Sequence, residues 1–264
     1  MEPSSNIDFT DDYRQREAEL NALQKEFSTL FTEKDEMVSH ENAVLTSLFL
    51  SCLGDKKYQL FSLQTEVKSL TMKRDMLQAY VNRDEKPDVV TVNREIDRKL
   101  EDYYKVLRDQ EEQLKAAKKF LSGGFLSSEE TKEIKDIYHV LVKQLHPDLH
   151  PEQTEEEQEL FLKAQAAYRM SELQILRDIL LKLGSPENKE KEICTIDLIQ
   201  NLKDRIGKLK HQIAELNNSF PFIYRENLKD EKWIKAQVDE IDAACAELEK
   251  RKSVLLEIID LLIN

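Results

Sequence analysis

Residues 127–148 of this chain read SSEETKEIKDIYHVLVKQLHPD. Ser127 is a favourable helix cap, and the carboxylates that follow it suit the positive end of a helix dipole. Apolar residues then recur at helical spacing as far as Leu145. Pro147 ends the helix because its ring clashes with the preceding turn and it has no N–H to donate. The stretch therefore predicts one amphipathic helix that stops at a turn.

A second helix is predicted directly after this turn. Thr154 precedes the acidic run 155–157, which favours a helix N-terminus, and Pro151 prevents an earlier start. Apolar residues at helical spacing continue the pattern to about residue 180. We expect two antiparallel helices joined by an exposed loop that carries His146, Pro147 and Asp148.

The segment resembles the J domain of DnaJ-type co-chaperones. The resemblance rests on the tripeptide His146-Pro147-Asp148 and on apolar positions at the family's spacings. These core positions are Ile134, Tyr138 and Leu141 before the tripeptide, and Phe161, Ala167 and Tyr168 after it. The resemblance covers residues 114–183. Residues 102–107 look like the start of the family's first helix but lie too far upstream for its ordinary spacing, so we expect residues 114–121, at the end of a preceding long helix, to form the first helix of the domain.

The resemblance also implies a partner. In the J-domain family, the loop and the helix before it dock on an ATP-bound DnaK-type chaperone and stimulate its ATP hydrolysis. The Asp148 carboxylate would suit a charge-assisted hydrogen bond with an arginine of that chaperone. The residues of the preceding helix that would face the chaperone are Lys132, Lys135, His139 and Lys143.

Some residues depart from the family pattern. Residues 129–145 hold four acidic side chains against three lysines, whereas strongly stimulating J domains have a basic helix here. Asp136 stands where Lys or Arg is common, Leu149 replaces the usual Lys, and Ala164 replaces a larger apolar residue. The alternative function is therefore a structural adaptor whose J-like core no longer engages a chaperone. The tripeptide also fits an ordinary helix-ending turn in which Asp148 is a cap.

Long amphipathic helices are predicted on both sides of this segment. In the N-terminal part, apolar stripes fill residues 20–44, 60–81 and 89–121, and the breaks fall at Gly54, residues 82–87 and Gly123. Three helices that each bury one stripe are expected to fold back on one another.

The C-terminal part has the spacing of a coiled-coil seam. Apolar residues alternate in steps of three and four over residues 199–220 and again over 234–262. Residues 217–221 interrupt the pattern, which favours an antiparallel hairpin of two long helices. The competing arrangement is a continuous rod that forms a homodimer. Either arrangement could select a client or partner.

Composition limits the fold class. The 264 residues include only five Gly and six Pro, too few turn residues for a many-stranded β fold. A net charge of −13 opposes nucleic-acid binding. The predicted fold is all-α, with long antiparallel coiled-coil helices around a J-domain-like hairpin. The predicted domains are 1–113, 114–183 and 184–264.

The sequence contains no motif of a catalytic site. It lacks a Gly-rich phosphate loop, a GxSxG elbow and an HExxH pair. His146 and His150 are four residues apart, but Pro147 keeps them off one helix face, so we expect no metal site and no cofactor. We expect a protein that is not an enzyme.

The compartment is inferred from simple features. Residues 1–9 are polar and acidic, unlike a secretory signal, and the apolar run 43–53 is too short to cross a bilayer. The three cysteines form no CxxC pair. We expect a cytoplasmic protein without membrane contact.

Overall fold

The computed structural model describes residues 6–123, 126–183 and 196–263 of the chain. Every regular element in these ranges is helical and none is a strand. The all-α fold class predicted from the sequence is therefore confirmed. None of the described helices is both long enough and apolar enough to cross a membrane.

The helices are α1 (Asn6–Glu36), α2 (Asn42–Phe49), α3 (Asp55–Val81), α4 (Val89–Ser122), α5 (Ser128–Leu145), α6 (Glu155–Arg169), α7 (Leu173–Leu183), α8 (Ile196–Asn217) and α9 (Glu231–Ile263). Two π-helical turns, Met37–Glu41 and Leu50–Gly54, connect α1 to α2 and α2 to α3.

Contacts divide the chain into two compact units, each built from separate stretches of sequence. Among the described residues, unit one contains 6–43, 126–183 and 196–222, and unit two contains 44–123 and 223–263. The division 1–113, 114–183 and 184–264 made from the sequence pattern follows consecutive segments and stays a prediction.

In unit one, the α5, α6 and α7 helices form a small helical core. Ser127 and Glu130 form a capping box at the start of α5, and Thr154 and Glu157 form another at the start of α6. The α5 and α6 helices are antiparallel, and α7 packs on both of them. Their shared buried cluster contains Ile134, Ile137, Tyr138, Leu141, Val142, Leu145, Leu160, Phe161, Ala164, Ala167, Tyr168, Leu176 and Ile179.

The α1 and α8 helices form a second layer of unit one. Glu19 pairs with Lys203, and seven residues later in both helices Glu26 pairs with Lys210. Because both numbers rise together, the two helices run parallel. Their apolar stripes meet in a buried cluster of Leu20, Phe27, Leu149, Ile199, Leu202, Ile206 and Leu209.

Unit two pairs α3 with α4 and with α9. The α3 and α4 helices are antiparallel across the turn 82–88, where the Asp88 side chain caps α4 by accepting from the Thr91 N–H. The α9 helix runs parallel to α3, since Lys56 pairs with Asp242 and, ten residues further along both helices, Glu66 pairs with Lys252.

The helix end predicted at Gly54 does not occur. Gly54 has helical φ and ψ angles of −63° and −46°, and its π turn continues directly into α3. A Cβ atom at this position would collide with the Leu114 side chain of α4. The glycine therefore allows a close approach of helices, and it does not act as a stop signal.

The predicted C-terminal hairpin is also replaced by a different pairing. The apolar stripe of α8 is buried against α1, and α9 is packed along α3. Each C-terminal helix thus takes its partner from the N-terminal part of the chain. The heptad spacing predicts the correct buried stripe of each helix, but spacing alone carries no information about which helix packs against it.

Candidate partner-binding loop

The loop between α5 and α6 is held by hydrogen bonds of its own backbone. After Leu145 the chain becomes extended at His146, whose φ and ψ angles are −71° and 128°. The carbonyl of His146 accepts hydrogen bonds from the N–H groups of Leu149 and His150, at 2.9 and 3.0 Å. The His146 Nδ1 accepts a further bond of 3.0 Å from the Asp148 N–H. The turn is therefore internally ordered.

His146 lies in a cage of aromatic rings. Its ring is edge-on to those of Phe27, Phe31 and Phe161, with centroid distances of 4.8, 4.4 and 5.0 Å. The residue is only 6% exposed. Burial lowers the pKa of His146 to about 4, although the Asp148 carboxylate acts in the opposite direction. The imidazole is thus neutral near pH 7, and with Nδ1 as acceptor its proton is on Nε2.

Asp148 forms an ion pair within the same unit. Its Oδ1 accepts from the guanidinium of Arg205, which lies on α8. The Asp148 side chain is 23% exposed and the Arg205 side chain 49% exposed. Asp148 is not the cap of α6, because that role belongs to Thr154. The carboxylate is directed away from the hairpin and towards α8.

Leu149 anchors the loop beneath these polar groups. It is 2% exposed and belongs to the buried cluster between α1 and α8. This is one of the positions at which the sequence departs from the pattern of the family it resembles, where a Lys is usual. An ammonium group here would be enclosed by apolar side chains at a high desolvation cost. The departure therefore matches the presence of two helices over the loop.

The loop expected to be exposed is exposed only in part. Within the tripeptide, Pro147 is exposed, Asp148 is half-covered and His146 is buried. On α5, Lys132 and Lys143 are exposed and His139 is partly exposed. Lys135 forms an ion pair of 2.7 Å with Glu36 of α1. Of the predicted chaperone-facing residues, Lys132, Lys143 and Pro147 are thus exposed. His146, Asp148 and Lys135 instead contact α1 or α8.

A buried polar network joins α1 to the hairpin. The Tyr138 hydroxyl donates to Asp35, and the Tyr168 hydroxyl donates to Glu36. The two tyrosine rings are stacked, with centroids 3.9 Å apart. Burial opposes ionisation of Glu36, but hydrogen bonds from His40, Lys135 and Tyr168 outweigh it and lower its pKa to about 2. These directional bonds fix the register of α1 on α5 and α6.

The six core positions taken from the resemblance lie together in the buried cluster of α5, α6 and α7. They are Ile134, Tyr138, Leu141, Phe161, Ala167 and Tyr168, and each is at most 5% exposed. Two of them, Tyr138 and Tyr168, also carry the polar bonds to α1.

The expected position of the first J-like helix was wrong. Residues 114–121 belong to α4 in unit two, where Leu114 packs beside Gly54. The helix from the N-terminal part of the chain that packs on α5 is α1, and it contributes Phe27, Phe31 and the acidic pair 35–36 to the site. The apolar stripe of α1 is visible in the sequence, but no sequence signal identifies its partner. Arg205 was not among the predicted site residues, because in the sequence it looks like any exposed charge on a heptad helix.

The described residues contain no group of His, Cys, Asp or Glu side chains arranged to hold a metal ion. Comparisons of the chain with protein-family models, with curated proteins and with solved structures give no match.

Proposed function

We propose that this chain is a J-domain-type co-chaperone that engages a DnaK-type chaperone through the His146-Pro147-Asp148 loop and stimulates its ATPase. The observation that carries the proposal is the ordered His146-Pro147-Asp148 turn at the end of α5, which lies beside a buried cluster containing all six core positions of the resemblance. A carboxylate at the corner between α5 and α6 is directed so that a guanidinium can bind it, as the proposed recognition by a chaperone arginine requires.

The local geometry supports this role. Pro147 restricts the backbone, and the bond from the Asp148 N–H to the His146 ring fixes the direction of the aspartate. A hydrogen bond between a guanidinium and a carboxylate held in this way is stronger than one between neutral groups. Pro147, Lys132 and Lys143 remain exposed on the same hairpin for contact with an acidic partner surface.

The proposal assigns no catalytic step and no cofactor to the chain itself. ATP hydrolysis would take place on the chaperone. The long helices of both units would select a client or partner, and we propose the cytoplasm as the compartment.

A structural adaptor is the second candidate. It is favoured by the burial of His146 and Leu149 and by the occupation of Asp148 by Arg205. If these contacts are permanent, the loop only helps to pack the helices of unit one and binds no other protein. The two candidates share one fold and differ in whether another protein reaches the carboxylate.

The deciding experiment is the steady-state ATPase of the organism's own DnaK-type chaperone with this chain added. We expect stimulation by the natural chain and its loss in Asp148→Asn and His146→Gln. Glu152→Gln is the matched control, because it removes one exposed negative charge from the same loop. Equal rates with the natural chain and both loop variants would refute the co-chaperone proposal.

A gain of function separates the two candidates further. Asp136 is exposed on α5, where a basic residue is usual in J domains. Asp136→Lys should raise the stimulation of the chaperone if the exposed face of α5 meets an acidic surface. The adaptor candidate expects no change, and expects affinity capture to recover a stable partner without a DnaK-type chaperone.

A further inference from the structure

We infer that α1 and α8 act as an autoinhibitory clamp on the His146-Pro147-Asp148 loop, with Arg205 occupying the carboxylate that a chaperone arginine would bind. The clamp consists of Phe27 and Phe31 of α1 together with Leu202, Arg205 and Ile206 of α8. This inference rests on the proposed function, because it describes the regulation of the same loop.

Arg205 and a chaperone arginine would compete for the Asp148 side chain. The Asp148 side chain is 23% exposed, and its Oδ1 is taken by Arg205. A guanidinium from another protein must displace Arg205 before it can bind both oxygens of the carboxylate. Arg205 therefore lowers the fraction of molecules whose loop can bind, and apparent affinity falls in proportion to that fraction.

The ion pair between Arg205 and Asp148 is partly solvated. The Arg205 side chain is 49% exposed, so water and salt weaken its ion pair with Asp148. An ion pair of this exposure can be exchanged for another one. The contact thus suits a reversible block better than a permanent structural link.

The apolar half of the clamp positions α8 independently of the Arg205 charge. Leu149 is buried between α1 and α8, and the His146 ring is packed against α1. These apolar contacts hold α8 beside the loop, so the position of α8 does not depend on the Arg205 charge. The α8 helix is itself fixed to α1 by the ion pairs of Glu19 with Lys203 and of Glu26 with Lys210. Removing the Arg205 charge should therefore free the carboxylate and leave the helix pair in place.

The test uses the full chain in the chaperone ATPase assay. Arg205→Met removes the charge but keeps an unbranched side chain, and Lys208→Met on the exposed side of α8 is the matched control. We expect Arg205→Met to lower the half-saturating concentration about two- to five-fold, the range that corresponds to a half-exposed ion pair. Lys208→Met should leave it unchanged, and Asp148→Asn added to Arg205→Met should abolish stimulation.

Two other results would overturn the inference in distinguishable ways. If the natural chain and Arg205→Met stimulate equally and Asp148→Asn abolishes both activities, the co-chaperone function holds and the clamp is refuted. If neither chain stimulates or binds the chaperone, the proposed function fails and the inference fails with it.

Hydrogen exchange provides an independent readout of the clamp. The amides of residues 148–150 should exchange faster in Arg205→Met than in Lys208→Met, while those of α5 keep their protection. Loss of protection throughout unit one would mean that Arg205 is needed for folding. In that case a rise in stimulation would not be expected, and the clamp would again be refuted.

Discussion

His146 is the residue at which packing and ionisation are most closely linked. Its ring is enclosed by three aromatic side chains and is held neutral near pH 7. A charged imidazolium in this cage would lose its hydration without gaining an equivalent partner. The folded state of unit one is therefore sensitive to acid at this single position.

This linkage predicts a loss of stability in mild acid. The pKa of His146 is about 6.5 in the unfolded chain and about 4 in the folded one. Its contribution to the free energy of unfolding is therefore fully present above pH 6.5 and is lost as the pH falls from 6.5 towards 4. The whole shift corresponds to about 3 kcal/mol, of which about 2 kcal/mol is lost between pH 7 and pH 5. Urea unfolding followed by circular dichroism at both pH values measures the difference.

The control for this prediction is His146→Leu, which keeps apolar volume in the cage and removes the titrating ring. Its stability should fall less between pH 7 and pH 5 than that of the natural chain. Glu36 does not confuse the comparison, because its contribution is lost only as the pH falls from 4.5 towards 2. The same acid dependence in both chains would contradict the assignment to His146.

At the scale of single helices, local signals in the sequence were informative. The bounds of α5 follow from Ser127 and Pro147, and the start of α6 follows from Thr154, because caps and helix breakers act over a few residues. Partners were not predictable in the same way. The stripe of α8 could pack against any other stripe, and its choice of α1 depends on residues distant in the sequence.

The parallel pairing of α1 and α8 makes a prediction about charge. Reversing Lys203 and Lys210 to Glu places like charges beside Glu19 and Glu26, and should lower the free energy of unfolding by about 1 kcal/mol in total, since these are exposed pairs. Adding Glu19→Lys and Glu26→Lys should restore most of the loss. Chemical denaturation of the three chains in low salt measures both changes.

The opposite result has a clear meaning. If the second pair of substitutions adds its own loss and restores nothing, then Glu19 and Glu26 do not face Lys203 and Lys210. The parallel alignment of the two helices would then be wrong by at least part of a heptad.

At the scale of the whole molecule, each compact unit joins an N-terminal stretch to a C-terminal one. The sequence pattern suggested three consecutive domains because period and composition change along the chain at those places. Contacts between distant stretches leave no mark on local period. This is why residues 114–121 were assigned to the J-like segment, although they are the last part of α4 in unit two.

Pairing within one chain predicts the mass in solution. The stripes of α8 and α9 are buried against α1 and α3 of the same chain, so the seam considered for a homodimer is already occupied. We expect light scattering to give a mass of about 30.9 kDa, that of one chain. A mass of two chains that persists on dilution would show that these stripes pair between molecules.

The distance in sequence between the loop and α8 also has a consequence during translation. Asp148 leaves the ribosome well before Arg205 and the rest of α8, while α1 is already available to pack on α5. At about 5–20 residues per second, the roughly 70 residues from Asp148 to the end of α8 take several seconds to synthesise. During that interval the Asp148 carboxylate of the nascent chain has no Arg205 to pair with. The ion pair can form only once α8 has been synthesised.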